Sequence, residues 1–336
     1  MRTKLAFAIL IIVLILSGCG KKEQQQKAKM KVGLVFDVGG RGDKSFNDAA
    51  FRGLERAKKE LGIDIDYIEP GAGTDREAAL RQLANKSDIS LIFGIGFIFT
   101  DDITAIAKEF QDKKFACVDY TLDPQKTIPS NLVALEYKEE EGSFLVGALA
   151  ALLTKTNTLG FVGGMQSPLI KKFEVGYVAG AKYANPACKV LVGYAGITGE
   201  AFKNPGKGKE LALGQYSQHA DIIYHASGVT GLGVFEAARE KKKLAIGVDS
   251  DQYHEAPGFI LTSMTKVVDN SVFEMIASVK DGSFQGGRAA VFGLKSKGVD
   301  YVYDDNNRNL IPDDIHTKVE AIRKKIIDGE ITVPFQ

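Results

Sequence analysis

Short apolar runs alternate with helix-like segments along most of this 336-residue chain, and that alternation limits the possible folds more than any other feature. Lys31–Phe36 (KVGLVF) reads as a strand, and Ser45–Leu61 reads as a helix. Ser45 is placed to cap that helix, with Asp48 three residues on. Ala50, Leu54, Ala57 and Leu61 share one face, and Gly62 provides the stop. Strands Ile65–Ile68, Ile89–Phe93, Lys114–Val118 and Leu132–Leu135 follow, separated by helices Asp75–Asn85 and Asp101–Gln111. This order predicts a parallel sheet covered by helices on both faces. A second unit repeats the grammar. It has helices Lys138–Leu153, Leu169–Asn185, Gly206–Gln218 and Gly231–Lys241 among strands Thr158–Val162, Val190–Tyr194, Ile222–His225, Leu244–Val248 and Ile260–Ser263. Helix Val268–Asp281, strands near Val291–Leu294 and Val299–Tyr303, and helix Asp313–Asp328 complete the chain. The expected fold class is α/β, with two doubly wound parallel-sheet lobes. A body of roughly 300 residues is also large for a single core, which favours two lobes. No repeat is visible at the level of residues.

The N-terminus is of another kind. Arg2 and Lys4 precede an apolar run of twelve residues, Leu5 to Leu16. A membrane-spanning helix needs about 20, so residues 1–18 read as a secretory signal peptide. Residues 19–29, rich in Lys and Gln, have no apolar face to bury and read as a solvated tether. Without the signal the chain loses Arg2 and Lys4, and the 43 basic residues become 41 against 42 acidic ones. A nearly neutral body gives no electrostatic footprint for nucleic acid. Cys117 and Cys188 each sit in an apolar run and read as small core residues, with a disulfide left open.

Ligands of open parallel sheets bind beyond the carboxyl ends of the strands. Three apolar strands each deliver a carboxylate there: Asp37 after KVGLVF, Asp119 after KFACV and Asp249 after LAIGV. Any one of them could equally cap a turn; three together point to a site. A carboxylate accepts two hydrogen bonds from a diol, which suits a ribose or another polyol. The glycine-rich loop after Asp37 delivers Phe46 and Asn47 onto a first helical turn. An aromatic followed by an amide suits stacking on a flat ring and bonding its edge, although Phe46 also fits a helix-end core position. Phe202 sits in the polar loop Ile197–Gly208, and the two Phe rings could sandwich a planar base. Gly228–Gly233 (GVTGLG) lets a ligand approach backbone at a helix N-terminus; it matches neither the Walker pattern nor GxGxxG. Lys266, after the strand Ile260–Ser263, could donate to a ligand or neutralise the three carboxylates. GxGFxxT at Gly94–Thr100 also stands at a strand end.

Together, DVGGRGDKSFNDAAFRG at Asp37–Gly53, EAFKNPGKG at Glu200–Gly208, ASGVTGLGVFEAA at Ala226–Ala238, IGVDSDQ at Ile246–Gln252 and LTSMTK at Leu261–Lys266 resemble the basic membrane protein family, which includes PnrA-like purine nucleoside receptors and Med-like lipoproteins. Leu16-Ser17-Gly18-Cys19 resembles a bacterial lipobox, which implies lipidation of Cys19 and attachment to the extracytoplasmic face of a membrane. The resemblance covers nearly the whole mature chain. It implies a type I periplasmic-binding fold with three hinge crossovers, near Lys138, Thr265 and Lys295. It also implies a monomer that serves the permease of a nucleoside ABC importer. Lobe 1 would be residues 31–138 with about 266–295, lobe 2 residues 139–265, and residues 296–336 would complete both. By resemblance, Asp249 holds ribose hydroxyls beside Lys266, Phe46 and Phe202 stack on the base, Asp37, Asn47 and Asp119 bond the base edge or sugar, and Gly228 offers backbone. Many relatives carry Trp where this chain has Phe202.

Other functions are weighed by what they need. A nucleoside hydrolase or phosphorylase would also place carboxylates near a ribose, but no GxSxG, HExxH or zinc-type spacing occurs, and His219, His225, His254 and His316 fit no metal pattern. No cofactor, metal or catalytic residue is expected. A sugar or signalling compound remains open as ligand, since sugars also stack on aromatics. A surface adhesin without a site would leave the three strand-end carboxylates unexplained.

Overall fold

A computed structural model describes residues 29–70 and 75–336; the expected signal segment, Cys19 and nearly all of the tether lie outside these. The described residues form two six-stranded sheets. In the first lobe the elements run β1 (Lys31–Val35), α1 (Phe46–Leu61), β2 (Asp64–Ile68), α2 (Arg76–Ala84), β3 (Ile89–Ile95), α3 (Thr100–Glu109), β4 (Lys114–Val118) and β5 (Leu132–Tyr137). The second lobe runs α4 (Glu139–Leu153), β6 (Thr158–Met165), α5 (Pro168–Ala184), β7 (Lys189–Gly196), α6 (Pro205–Ser217), β8 (Ile222–Ala226), α7 (Thr230–Lys241), β9 (Leu244–Asp249) and β10 (Ile260–Lys266). Then α8 (Val268–Asp281) and β11 (Arg288–Phe292) return to the first lobe, and β12 (Val299–Tyr301) and α9 (Asp313–Ile327) to the second.

The strand orders are β11-β5-β4-β3-β1-β2 and β12-β10-β9-β8-β6-β7. These are the same order, position for position, so the grammar the two halves share in sequence extends to the order of their strands. β4 corresponds to β9, and their terminal carboxylates, Asp119 and Asp249, hold equivalent places. One pairing departs from the parallel expectation: β12 runs antiparallel to β10. It is a three-residue strand at a sheet edge, where an antiparallel partner on an otherwise parallel sheet is common.

One apolar core is continuous between the lobes, from the α1/α8 face of the first sheet to the α4/α5/α9 face of the second. The outer faces are separate cores, under α2 and α3 in one lobe and under α6 and α7 in the other. Three crossings join the lobes, at Lys138, at Val267 and through Gly293–Gly298. Backbone bonds tie them together: Lys138 N–H to the Phe292 carbonyl at 2.9 Å and Val267 N–H to the Gly298 carbonyl at 3.0 Å. Cys117 and Cys188 are both free and buried, one in each lobe. Among the described residues no helix is long and apolar enough to cross a membrane.

Candidate functional site

The carboxyl ends of both sheets face one interlobe cleft with about 480 Å³ of space not filled by protein atoms, part of it continuous with solvent. Asp37, Phe46, Asn47, Asp119, Phe202, Gly228, Asp249 and Lys266 all line it. Topology is the reason. Each of these residues lies at the end of a strand or in the segment that follows one.

The turns that aim the carboxylates are strained. Asp119 and Asp249 adopt φ of 59° and 63°, in the left-handed region that few side chains other than Asn and Asp enter readily. That kink turns each chain off its strand and points the carboxylate into the cleft. Asp37 is held otherwise. Its N–H donates to Asn47 Oδ1 at 3.0 Å, and its Oδ1 accepts the Val38 N–H at 2.6 Å. Gly96, at φ 108°, backs it: a Cβ there would stand 2.2 Å from Asp37 Oδ2, so no other residue fits.

Lys266 is the charge hub. It lies at the end of β10, which runs three residues further than the predicted strand, and it is 3 % exposed. Its ammonium donates to Asp119 Oδ1 and Oδ2 at 3.0 and 2.8 Å and lies 3.5 Å from Glu139 Oε1 and 3.7 Å from Asp249 Oδ1. Glu139, fully buried at the start of α4, also takes Lys172 at 3.1 Å. Both lobes and two crossings therefore meet on one cation. Burial opposes its charge, but Asp119, Asp249 and Glu139 outweigh burial and raise its pKa. Burial raises Asp119 and Asp249 as well, with Lys266 opposing. Asp37 is pushed up to about 7, mainly by burial. The ammonium also stands 4.7 Å from the Phe46 ring centre and 5.5 Å from that of Phe173. The ring partner of Phe202 is Phe97, edge-on at 6.5 Å.

The expected Ser45 cap is not formed. Asp43 caps α1 instead, its carboxylate accepting the N–H groups of Ser45, Asn47 and Asp48 at 2.9, 2.8 and 3.1 Å. Ser45 is spent across the cleft. Its hydroxyl is shared between the Val248 carbonyl at 2.9 Å and Asp249 Oδ2 at 3.3 Å. In return, Ser250 Oγ donates to the Ser45 carbonyl at 3.0 Å, and Arg52 donates to Ser250 Oγ at 2.9 Å. This clasp ties the two lobes together across the cleft. Asn47 has its oxygen on Asp37 and its amide nitrogen 3.2 Å from Asp43 Oδ2, so much of its bonding goes to shaping the loop. Within GVTGLG, Gly233 packs against the Pro205 carbonyl and Gly231 against the His225 ring, so helix packing accounts for both of these glycines. The sequence reading did not select Asp43, Phe173, Ser227 or Glu139. The first three line the cleft, and Phe173 and Glu139 carry only the signature of ordinary helix residues.

A family model described as "ABC transporter substrate-binding protein PnrA-like" matches residues 30–336. The chain belongs to this family of basic membrane proteins. Basic membrane protein A of Borreliella afzelii is 35% identical over 325 residues, covering 95% of each chain. An uncharacterized lipoprotein of Pyrococcus abyssi is 36% identical over 308 residues, covering 87% of this chain and 74% of its own. Among solved structures, an ABC transporter solute-binding protein from Aeropyrum pernix K1 superposes with a TM-score of 0.81 at 28% identity, covering 91% of this chain and 94% of that one. The architecture is thus the type I periplasmic-binding fold, and the chain is a solute-binding protein of the ABC-transporter type. Relatives in the basic membrane protein family carry the names of lipoproteins and membrane proteins.

Proposed function

We propose that this protein captures purine nucleosides outside the cytoplasm, anchored to the membrane through lipid on Cys19, and delivers them to the permease of an ABC importer. The observation that carries the reading is the convergence of three strand-end carboxylates and four Phe side chains, Phe46, Phe97, Phe173 and Phe202, on one interlobe cleft. Asp249 Oδ1 is buried with no donor within hydrogen-bond distance, the Lys266 ammonium standing 3.7 Å away. A buried acceptor without a close donor is costly, and a ribose hydroxyl would satisfy it. Phe46 and Phe202 take the faces of the base. Asp37 and Asp119, with Asn47 and the Gly228 backbone, take its edge or the sugar.

Charge narrows the ligand further. Asp119, Asp249 and Glu139 surround Lys266, and Asp37 and Asp43 also line the cleft, so acidic side chains outnumber the one cation among its lining residues. A phosphate would be repelled by that acidic lining. The cleft therefore selects nucleosides over nucleotides. Titration with guanosine and with guanosine 5′-monophosphate tests this: guanosine binds one-to-one and the monophosphate stays silent. Equal binding of both would overturn the reading. The protein binds without turning over its ligand, so prolonged incubation with inosine yields no free base.

Phe46→Ala should weaken purine nucleosides by roughly 5- to 150-fold, the range that base–aromatic stacking of about 1–3 kcal/mol implies. Any ribose binding should hardly change. Affinity should also depend on pH. A ligand N–H or O–H on Asp37 favours its ionised form, whereas the empty site holds its pKa up to about 7. Binding then releases a proton, and affinity rises from pH 6 to 8 before levelling off. Calorimetry in buffers of different ionisation enthalpy reads that proton directly. Proton uptake instead of release would remove Asp37 from the ligand's partners.

A further inference from the structure

Ser227 lines the cleft at the start of the turn into α7, and it leads back to a buried chain of polar groups. His225, fully buried at the end of β8, has Nδ1 3.2 Å from Ser227 Oγ and Nε2 3.1 Å from Gln252 Oε1. Gln252 Oε1 also accepts the Val248 N–H at 2.8 Å. A backbone N–H can only donate, so the orientation of the Gln252 amide is settled: oxygen toward Val248. The same oxygen can only accept from His225, so Nε2 carries a proton. Burial lowers the His225 pKa to about 4, so the ring is neutral at physiological pH and has only that one proton. Nδ1 is then bare and must accept. The single hydroxyl hydrogen of Ser227 goes to it.

The cost of this order is visible. Gln252 Nε2 is buried without a partner. Flipping the amide would turn that nitrogen toward the Val248 N–H, donor against donor, so one orphaned group is the smaller penalty. The imidazole has no room to turn away either. A Cβ on Gly231 would lie 2.0 Å from His225 Cε1, and the Phe235 ring packs edge-on at 4.9 Å between centres.

We infer that Ser227 is a specificity-determining residue whose hydroxyl is fixed as a hydrogen-bond acceptor by the Val248–Gln252–His225 relay, so that the cleft selects a ligand placing an N–H or O–H against it. His225 is the positioning residue and touches no ligand. This rests on the nucleoside reading and deepens it. The relay also explains why a serine, which elsewhere could donate or accept, discriminates here.

Two measurements test it. In the protein without ligand, 15N NMR of the imidazoles should show His225 as the neutral tautomer protonated on Nε2 from pH 6 to 8. A ring protonated on Nδ1, or one that titrates in that range, would overturn the relay whatever the ligand is. Separately, Ser227→Ala should weaken inosine by about 3- to 10-fold, the span of one neutral hydrogen bond. Of 1-methylinosine and the 2′-, 3′- and 5′-deoxy analogues, the one lacking the selected donor should lose affinity for wild type and lose nothing more in Ser227→Ala. Strictly additive losses for all four would remove Ser227 from the ligand's partners. If wild type binds no nucleoside at all, the functional reading fails, while the tautomer still reports on the relay.

Discussion

Asp249→Asn should reduce purine nucleoside affinity by about 100-fold or more while the protein stays folded. Hydrogen bonds to a charged acceptor contribute about 1.5–3 kcal/mol each, and a carboxylate gripping a diol makes two. The amide keeps one acceptor and turns an N–H₂ toward either the ligand hydroxyls or the Lys266 ammonium, 3.7 Å from Oδ1. The fold tolerates the change for two reasons. Asn accepts the left-handed backbone, φ 63°, as readily as Asp does, and Lys266 keeps Asp119 and Glu139 as partners. Asp249→Ala should lose binding as completely. Calorimetric titration with inosine, alongside a thermal melt, separates the two effects. Unchanged affinity in a folded variant would remove the ribose site from Asp249.

Lys266→Met should produce the largest loss of stability of any single change in the cleft. Met keeps the stem and removes the cation, stranding Asp119 and Asp249 in a buried cluster while Glu139 keeps Lys172. Breaking a buried ion pair from one side costs about 3–5 kcal/mol, and here two carboxylates lose their cation. The pH signature distinguishes this from simple repacking. Burial and mutual repulsion in the variant push Asp119 and Asp249 above their unfolded values. Groups raised in the folded state stabilise it below their unfolded pKa and lose that contribution as pH rises through the folded value. The variant should therefore melt closest to wild type near pH 5 and fall furthest below it near pH 8. Denaturation curves at the two pH values check this. A deficit of equal size at both would mean that packing around the stem, and not charge, makes Lys266 matter.

Much of this site was readable before any coordinates, because the reading used topology. Apolar strands in βα order place their C-termini on one side, so Asp37, Asp119 and Asp249 had to be near each other once the lobes closed. The glycine-rich turn from Gly228 was also legible from the residues, and the resemblance then narrowed its role to Gly228 and set Lys266 beside Asp249. What escaped depends on contacts between distant residues. Ser45 has the local signature of a helix cap, but a carbonyl 203 residues later takes its hydroxyl, and Asp43 does the capping. Glu139 resembles any acidic residue in a first helical turn; its partner Lys266 lies 127 residues on. His225 fits no metal pattern and looked inert, since its role depends on which way a buried amide points. The antiparallel β12 is too short for its direction to leave a mark in the sequence. The equivalence of the two lobes is visible only as matching strand orders, because the packing of a doubly wound lobe constrains residue type far more loosely than it constrains topology.

The central claim is that the closed acidic cleft holds a purine nucleoside. Calorimetric titration of the body from Met30 onward with inosine, guanosine, adenosine, cytidine and ribose tests it most directly. The account predicts tight one-to-one binding of the purine nucleosides, weaker or no binding of cytidine, and no heat from ribose. Silence across all five would leave the two-lobed solute-binding fold in place and contradict the nucleoside assignment.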